Sequence, residues 1–388
     1  MTQGFRVMHI LSGDLWAGAE VQAYTLISHL ARMADIEVAA VILNEGMLAR
    51  KLRAAHVPVY VIDEKETGPL QILSRLREIM RSWRPDLIHT HREKENILGS
   101  LANRSCGNVV SIRTVHGHKE YGGSKSWRAA RHRIVNGLDR WCGRVLQQRF
   151  IAVSNALGER LAREFGSKKI VIIENGVDID AVLAEKGTAE FRRVEPACVH
   201  VGIVGRLVKV KRVDLFLEAA ALLQCDYPGR GWRFHVFGDG PLRAELEKLS
   251  EGLALADSVR FYGHREDIAT CIAGLDALVI CSDHEGMPMT ALEAASLEVP
   301  TVAHAVGGLV DVVPDAFWVM RHDAQGYSDG IRRALEPDSR AIVRNHARRI
   351  LPRFSAARNA VRVRRVYEDV IAQWKEGNSD GGEGRRRA

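Results

Sequence analysis

No apolar run in the chain approaches the roughly 18 residues a membrane-spanning helix needs, so no helical transmembrane span is expected. The first residues, Met1 to Arg6, lead straight into a strand-like Val7–Leu11 and lack the longer apolar stretch of a secretory signal, which makes a cytoplasmic protein the expectation. The six cysteines (Cys106, Cys142, Cys198, Cys225, Cys271, Cys281) form no C-x-x-C pair and have no ligand spacing to histidines. No zinc module is therefore expected, and reduced thiols are. There is no G-x-G-x-x-G, so the dinucleotide fingerprint is absent. No set of aromatics lies interleaved with a basic groove as stacking platforms for single-stranded nucleic acid. What is there is ordinary: 388 residues, 46% hydrophobic and 27% charged, which at about 100–200 residues per domain predicts two globular domains. The formal net charge of +7 points to an anionic partner, without choosing between a nucleotide diphosphate, an anionic lipid surface and a nucleic acid.

Strand-like runs alternate with helical periodicity along the whole chain. In the first half they fall at Arg6–Leu11, Glu37–Leu43, Val57–Ile62, Asp86–Thr90, Val109–Val115, Phe150–Val153 and Ile170–Ile173, with helices such as Leu70–Trp83 and Ala156–Phe165 between. In the second half they fall at Val199–Val204, Arg233–Phe237, Val259–Tyr262, Ala277–Ile280 and Thr301–Ala303. Such alternation builds βαβ units and parallel sheets. The fold class predicted is α/β, two Rossmann-like domains in tandem facing each other across a cleft. The first spans 1–182 and the second 196–356; the polar Asp180–Glu195 is the expected linker. A last helix is expected over 357–375, and a disordered tail, too polar to bury a core, over 376–388.

The stretch Cys281-Ser-Asp-His-Glu-Gly-Met-Pro-Met-Thr-Ala-Leu-Glu293 follows the buried run Ala277–Ile280. In an open α/β sheet ligands bind at the carboxyl ends of the strands. Pro288 suits the first position of a helix. Glu285 and Glu293 would then sit beside that helix's positive end, where carboxylates ionise easily and accept from the hydroxyls of a sugar or ribose. Val204-Gly-Arg206-Leu-Val-Lys-Val-Lys211 ends another strand with two cations five residues apart, suited to a diphosphate. Gly13-Asp-Leu-Trp-Ala-Gly18-Ala-Glu20 joins the first strand to its helix, a tight turn or an anion site at a helix N-terminus. Among the histidines, His89 and His118 read as packed or solvated, His91 ranks slightly above them, and His116 in Thr114-Val-His-Gly117 stands out. In 125–149, Trp127, Ile134, Leu138, Trp141 and Val145 recur at helical spacing beside Arg128, Arg131, Arg133, Arg140 and Arg144. Packing on the first sheet with a solvated basic face is the favoured reading, and a helix lying on anionic lipid is the alternative. Asp178-Ile-Asp180 spells a metal-binding D-x-D but opens the expected linker, away from phosphates, and is not read as a metal site.

Glu285-Gly286, Pro288, Glu293-Ala294, Pro300 and Gly307-Gly308 fall in the order and spacing of the Glu-x7-Glu signature, and the chain resembles glycosyltransferase family 4, retaining enzymes of the GT-B fold. The resemblance runs from Gly13 to about Trp374 through at least six motifs. It implies that Arg206 and Lys211 meet the leaving diphosphate, that His116 reaches the transferred sugar, and that Glu285 accepts from donor-sugar hydroxyls. It implies further that Glu293 accepts from the ribose, that Gly286, Met287 and Pro288 line the phosphates, and that Gly18 and Gly240 border the substrate. Tyr262-Gly263-His264 would flank the base. No metal and no cofactor are implied; the donor is a UDP- or GDP-linked sugar, and the acceptor a carbohydrate or lipid-linked hydroxyl in cell-surface polysaccharide or glycolipid assembly. The expected location is the cytoplasm, with peripheral contact at the inner face of an anionic membrane kept open. Two departures stand out, Arg212 and Glu298, at positions where the family usually has glycine; Asp311, besides, stands where glutamate is common. A nucleotide-sugar epimerase or a glycosyl phosphorylase of the same fold, and a non-catalytic sugar-nucleotide-binding subunit, remain as alternatives.

Overall fold

The computed structural model describes residues 4–13, 16–117 and 127–384, and the side chains of 127–132 and 378–384 are not described. It divides into two units, one made of 1–176 and 356–388, the other of 177–355. Among its described residues the first unit contains seven strands: β1 (Phe5–Leu11), β2 (Ile36–Ile42), β3 (Val59–Val61), β4 (Leu87–Thr90), β5 (Val110–Val115), β6 (Arg149–Ala152) and β7 (Ile170–Ile172). They form one parallel sheet in the order β3-β2-β1-β4-β5-β6-β7. The second unit contains β8 (Val199–Val204), β9 (Trp232–Phe237), β10 (Val259–Gly263), β11 (Ala277–Ile280), β12 (Thr301–His304) and β13 (Trp318–Val319). Its parallel order is β10-β9-β8-β11-β12-β13. Strands buried on both faces read as continuous apolar runs. That is why Val199–Val204 and Ala277–Ile280 coincide with the runs seen in the sequence. Each order reverses beside its first strand, and the loops leaving β1 and β4, and β8 and β11, flank these switch points.

The last helix, Ala356–Gly384, returns to the first unit and packs along the helix Gly18–Leu30. Val363, Tyr367 and Val370 enter the same buried cluster as Val7, Ile27 and Ile112. Its seat is polar as well: Asn359 donates to the carbonyl of Glu174 at 2.6 Å and Arg362 pairs with the Glu174 carboxylate at 2.5 Å. Gln22 accepts from the Gly176 N–H at 3.1 Å, so the Glu174–Gly176 segment is fixed by two helices of its own unit.

Three expectations change. Residues 180–195 are no linker, for the chain leaves the first unit after Gly176 and folds there into short helices, Ile179–Ala184 and Glu190–Val194, within the second unit. Phe191 anchors the second of them, buried against His200 and His235. The polar segment from 376 continues the last helix to Gly384, because an established helix adds each residue for one further hydrogen bond. In the helix Trp127–Val145, the expected packing stripe is the exposed one: Ile134, Leu138, Trp141 and Val145 face outward while Asp139 and Cys142 are buried. The neighbouring face docks instead through a polar network. Arg113 on β5 and Asp139 form an ion pair at 2.7 Å, and Asn96 donates to Asp139 at 2.8 Å. Trp127, Arg128, Arg131 and His118 lie outside the described side chains.

Candidate active site

The second unit's switch point gathers most of the expected residues. Gly205 and Arg206 leave β8, and Arg206 is exposed. The turn after β9 packs on this loop: an added Cβ at Gly240 would lie 2.5 Å from the Leu207 carbonyl oxygen, so glycine is required for the approach. The Leu207 N–H in turn donates to the Asp239 carbonyl at 2.9 Å. From β11 the chain runs through Ser282 and Asp283 to Glu285. The Asp283 N–H bonds to the Val210 carbonyl at 2.9 Å, which draws the two loops together. Lys211 Nζ consequently reaches Glu285 Oε1 at 2.6 Å, and the Ser282 hydroxyl donates to the same oxygen at 2.5 Å. Beneath the pair lies a pocket of about 10 Å³ lined by Gly205, Lys211, Phe237 and Ser282, room for about one water.

The Glu285 loop is held from behind by Gly307 and Gly308. Gly307 has φ 54°, and a Cβ there would fall 1.9 Å from the Glu285 carbonyl oxygen; Gly308 donates its N–H to the Gly286 carbonyl at 2.7 Å. Met287 is buried against Gly308. The two departures from family glycine now have an explanation. Arg212 (φ 47°) and Glu298 (φ 58°) both occupy the left-handed region that glycine takes freely. Each side chain is tied down there, Arg212 to Asp214 at 2.9 Å and Asp283 at 3.4 Å, and Glu298 to Arg344 at 2.8 Å.

Pro288 is the N-cap of the helix Met289–Ser296, one place earlier than expected, and Glu293 is the fifth residue of that helix. The expectation of easy ionisation fails for Glu293. Burial, assisted by the nearby Glu185 charge, pushes its carboxyl up to about 7, and Oε2 has no hydrogen-bond partner among the described residues. The helix terminus is outweighed because an unpaired buried carboxylate loses its hydration. The folded pKa lies above the ordinary carboxylate value, so the native state holds a proton that the unfolded chain releases. The stability it contributes is full below about pH 4.5 and is lost as pH rises through about 7, a change on the order of 3 kcal/mol. Glu293→Gln keeps the shape and cannot ionise. Its denaturation midpoint should match that of the parent chain at pH 5 and exceed it at pH 8, and an equal offset at both would contradict the assignment.

The remaining residues lie in the first unit. Gly18 is exposed at the first position of the helix Gly18–Leu30, whose first N–H groups have no intrahelical acceptor. His116 follows β5 and is half-buried. Its Nε2 lies 3.1 Å from His91 Nδ1, and its Nδ1 has no partner among the described residues. His91 Nε2 meets His9 Nδ1 at 3.1 Å, and His89 meets Tyr367 at 2.7 Å and Thr114 at 2.8 Å. Burial lowers all four imidazoles, His9 and His116 to about 3, so each is neutral at pH 7. His89 is packed, as read from the sequence, but His9 carried no local signal. Nitrogens of His9, His89 and His91 come within 4.8 Å of one another, a candidate metal cluster. Metal–nitrogen bonds lie in the ring planes, whereas His89 and His91 stack 19° from parallel and both His89 nitrogens are engaged. The rings do not aim at a common point. Asp178 of the D-x-D caps the helix Ile179–Ala184 by accepting from the Ala181 N–H at 3.0 Å.

The second unit thus carries a lysine–carboxylate pair at the mouth of a parallel sheet and, on the helix that follows, a buried carboxyl with one oxygen unpaired among the described residues, which suits a polyhydroxylated anion. Family models match two parts of the chain: Glycosyltransferase Family 4 over residues 16–181 and Glycosyl transferases group 1 over residues 199–350. The UDP-Gal:alpha-D-GlcNAc-diphosphoundecaprenol alpha-1,3-galactosyltransferase of Escherichia coli is 25% identical over 82% of this chain and 84% of its own. A D-inositol 3-phosphate glycosyltransferase of Saccharomonospora viridis is 26% identical over 92% of this chain and 86% of its own. Among solved structures, Anabaena Alr3699/HepE in complex with UDP-glucose superposes with a TM-score of 0.79 at 19% identity, covering 94% of this chain and all of that one.

Proposed function

The chain belongs to the family 4, group 1 glycosyltransferases, which transfer sugar from a nucleotide sugar, and has their GT-B fold of two Rossmann-like units; from that premise we propose that it is a retaining, metal-independent enzyme acting on a UDP- or GDP-linked sugar and a hydroxyl acceptor in surface polysaccharide or glycolipid assembly. The observation that carries the site assignment is the 2.6 Å pair of Lys211 and Glu285 at the second unit's switch point. In this reading Arg206 and Lys211 meet charge that grows on the leaving diphosphate, which is where fixed cations lower a barrier most. Glu285 and the backbone of Gly286, Met287 and Pro288 hold the donor sugar and phosphates, with Gly240 bordering them. Glu293 accepts from the ribose hydroxyls, and as it does so its proton passes to solvent and the carboxylate forms. Displacement takes place on one face of the sugar, and the leaving diphosphate helps deprotonate the acceptor. Gly18 and His116 serve the acceptor and the transferred sugar. A carboxylate nucleophile is not required.

An acceptor linked to a lipid, such as the diphosphoundecaprenol in the name of the Escherichia coli relative, would place this enzyme at a membrane surface. The outward stripe Ile134, Leu138, Trp141 and Val145, bordered by exposed Arg133, Arg140 and Arg144, fits an interface rich in anionic lipid. Replacing Ile134 and Trp141 together by glutamate should reduce co-sedimentation with anionic vesicles by about tenfold or more and leave transfer to a detergent-free soluble acceptor unchanged. Equal binding by parent and variant would remove the lipid contact from this reading.

The function itself is tested with a panel of UDP and GDP sugars. One of them, at 100 times its Kd, should stabilise the protein by about 2.7 kcal/mol and donate its sugar only when an acceptor is added. Interconversion of the nucleotide sugar with no acceptor present would favour the epimerase instead. No stabilisation by any member of the panel would end the proposal.

A further inference from the structure

Four histidines and a tyrosine of the first unit form one connected hydrogen-bond chain whose direction is set at its buried end. The sheet builds it: β1 and β4 pair His9 directly with His89, His91 follows β4, and His116 follows β5. Tyr367 comes down from the last helix. The links run from Thr114 to His89 (2.8 Å), His89 to Tyr367 (2.7 Å), Tyr367 to His9 (3.4 Å), His9 to His91 (3.1 Å) and His91 to His116 (3.1 Å). A neutral imidazole has one N–H and one lone pair, so fixing either nitrogen fixes the other. The run His9–His91–His116 can therefore point only one way or the other as a whole, and the Tyr367 hydroxyl, with one proton and two lone pairs, faces its inner end.

The Tyr367 end chooses between them. A phenol is a good donor, and the short 2.7 Å contact is the geometry of an O–H donating to the His89 Nδ1 lone pair. His89 then donates from Nε2 to Thr114. The Tyr367 oxygen is left to accept from His9 Nε2–H, so His9 Nδ1 accepts from His91 Nε2–H, and His91 Nδ1 accepts from His116 Nε2–H. His116 Nδ1 carries a lone pair. Reversing the chain would instead leave a buried N–H at His116 Nδ1 with no acceptor among the described residues, and orphaned donors are the rarer and more costly case.

We propose that Tyr367, His9 and His91 are positioning residues for His116, holding it as the Nε2–H tautomer so that its Nδ1 lone pair accepts from a substrate hydroxyl. The substrate clause rests on the glycosyltransferase reading; the tautomer does not. His116 would thereby be set as an acceptor by a tyrosine three links away on the final helix. Replacing Tyr367 by phenylalanine keeps the packing and removes the oxygen that accepts from His9. The chain then gains by reversing, with His9 donating from Nδ1, His91 from Nδ1, and His116 shifting towards its Nδ1–H form.

The test is a long-range proton–nitrogen correlation spectrum of the full chain carrying ¹⁵N-histidine, at pH 7.5, with His116 assigned from a His116→Gln variant. The expected result is a neutral His116 with its proton on Nε2 in the parent chain, and a population with the proton on Nδ1 in Tyr367→Phe. With a competent donor and acceptor, Tyr367→Phe should also lower kcat about tenfold with little change in KM for the donor. An Nδ1–H His116 in the parent chain would overturn the proposal without any variant, as would an unaltered tautomer in a folded Tyr367→Phe. A correct tautomer shift with no transfer from any nucleotide sugar would leave the chain standing and sink the functional reading alone.

Discussion

Replacing Lys211 by alanine is expected to lower kcat by about 10²–10³-fold and to change KM for the nucleotide sugar by no more than a few-fold. The charge that Lys211 meets is greatest when the glycosidic bond is breaking, and a group that acts mainly there appears in kcat. The ammonium is engaged by Glu285, whose side chain is only 9% exposed. Alanine would leave that carboxylate with the Ser282 hydroxyl alone among its described partners. Part of any loss could then be structural, and a second variant separates the two. Lys211→Ala with Glu285→Gln relieves the stranded charge, so it should recover stability but not turnover. Lys211→Arg keeps the charge with a different donor geometry and should recover only part of kcat. Turnover by Lys211→Ala within a few-fold of the parent, measured under saturating donor, would show that the diphosphate departs without this cation.

The largest effect on stability is expected at Asp139. Its pair with Arg113 is buried on both sides, at 2% and 7% exposure, and Asn96 joins it, with Gln147 donating to Asn96 at 2.6 Å. Alanine at 139 would strand a guanidinium inside the first unit, and removing one partner of a buried pair costs about 3–5 kcal/mol. Removing both, as Arg113→Met with Asp139→Leu, should be much milder, because a well-packed apolar pair carries no desolvation penalty. Urea denaturation of the two variants gives the comparison. If the single and double changes are equally damaging, the interaction is packing and not charge. Because Arg113 lies on β5, three residues before His116, the single variant should also disturb the histidine chain.

The sheets were legible because parallel strands announce themselves as unbroken apolar runs. Trp318–Val319 escaped notice because two residues are too few to show a period. Lys211 and Glu285 stand out in local order, and the loops that bring these two side chains together follow from the sheet's topology. The state of Glu293 was not legible, since its helix position argued for easy ionisation and only the fold reveals that it is buried. The helix Trp127–Val145 misled for a different reason. Its apolar residues do share a face, but periodicity cannot say which face docks, and Asp139 and Cys142 fill that role. His9, His89 and His116 are separated by up to 107 positions in the numbering, and no spacing rule joins them. Only the β1-β4-β5 neighbourhood does.

The return of residues 356–371 to the first unit has a consequence for how this protein is made. A ribosome delivers the amino-terminal sheet early, yet Val363, Tyr367 and Val370, which cover one of its faces, emerge only after the whole of 177–355. The unit translated first must wait with an uncovered apolar surface, while the inserted unit has all its own strands and can fold at once. Nascent chains stalled near position 355 should therefore need chaperone protection that the finished protein does not.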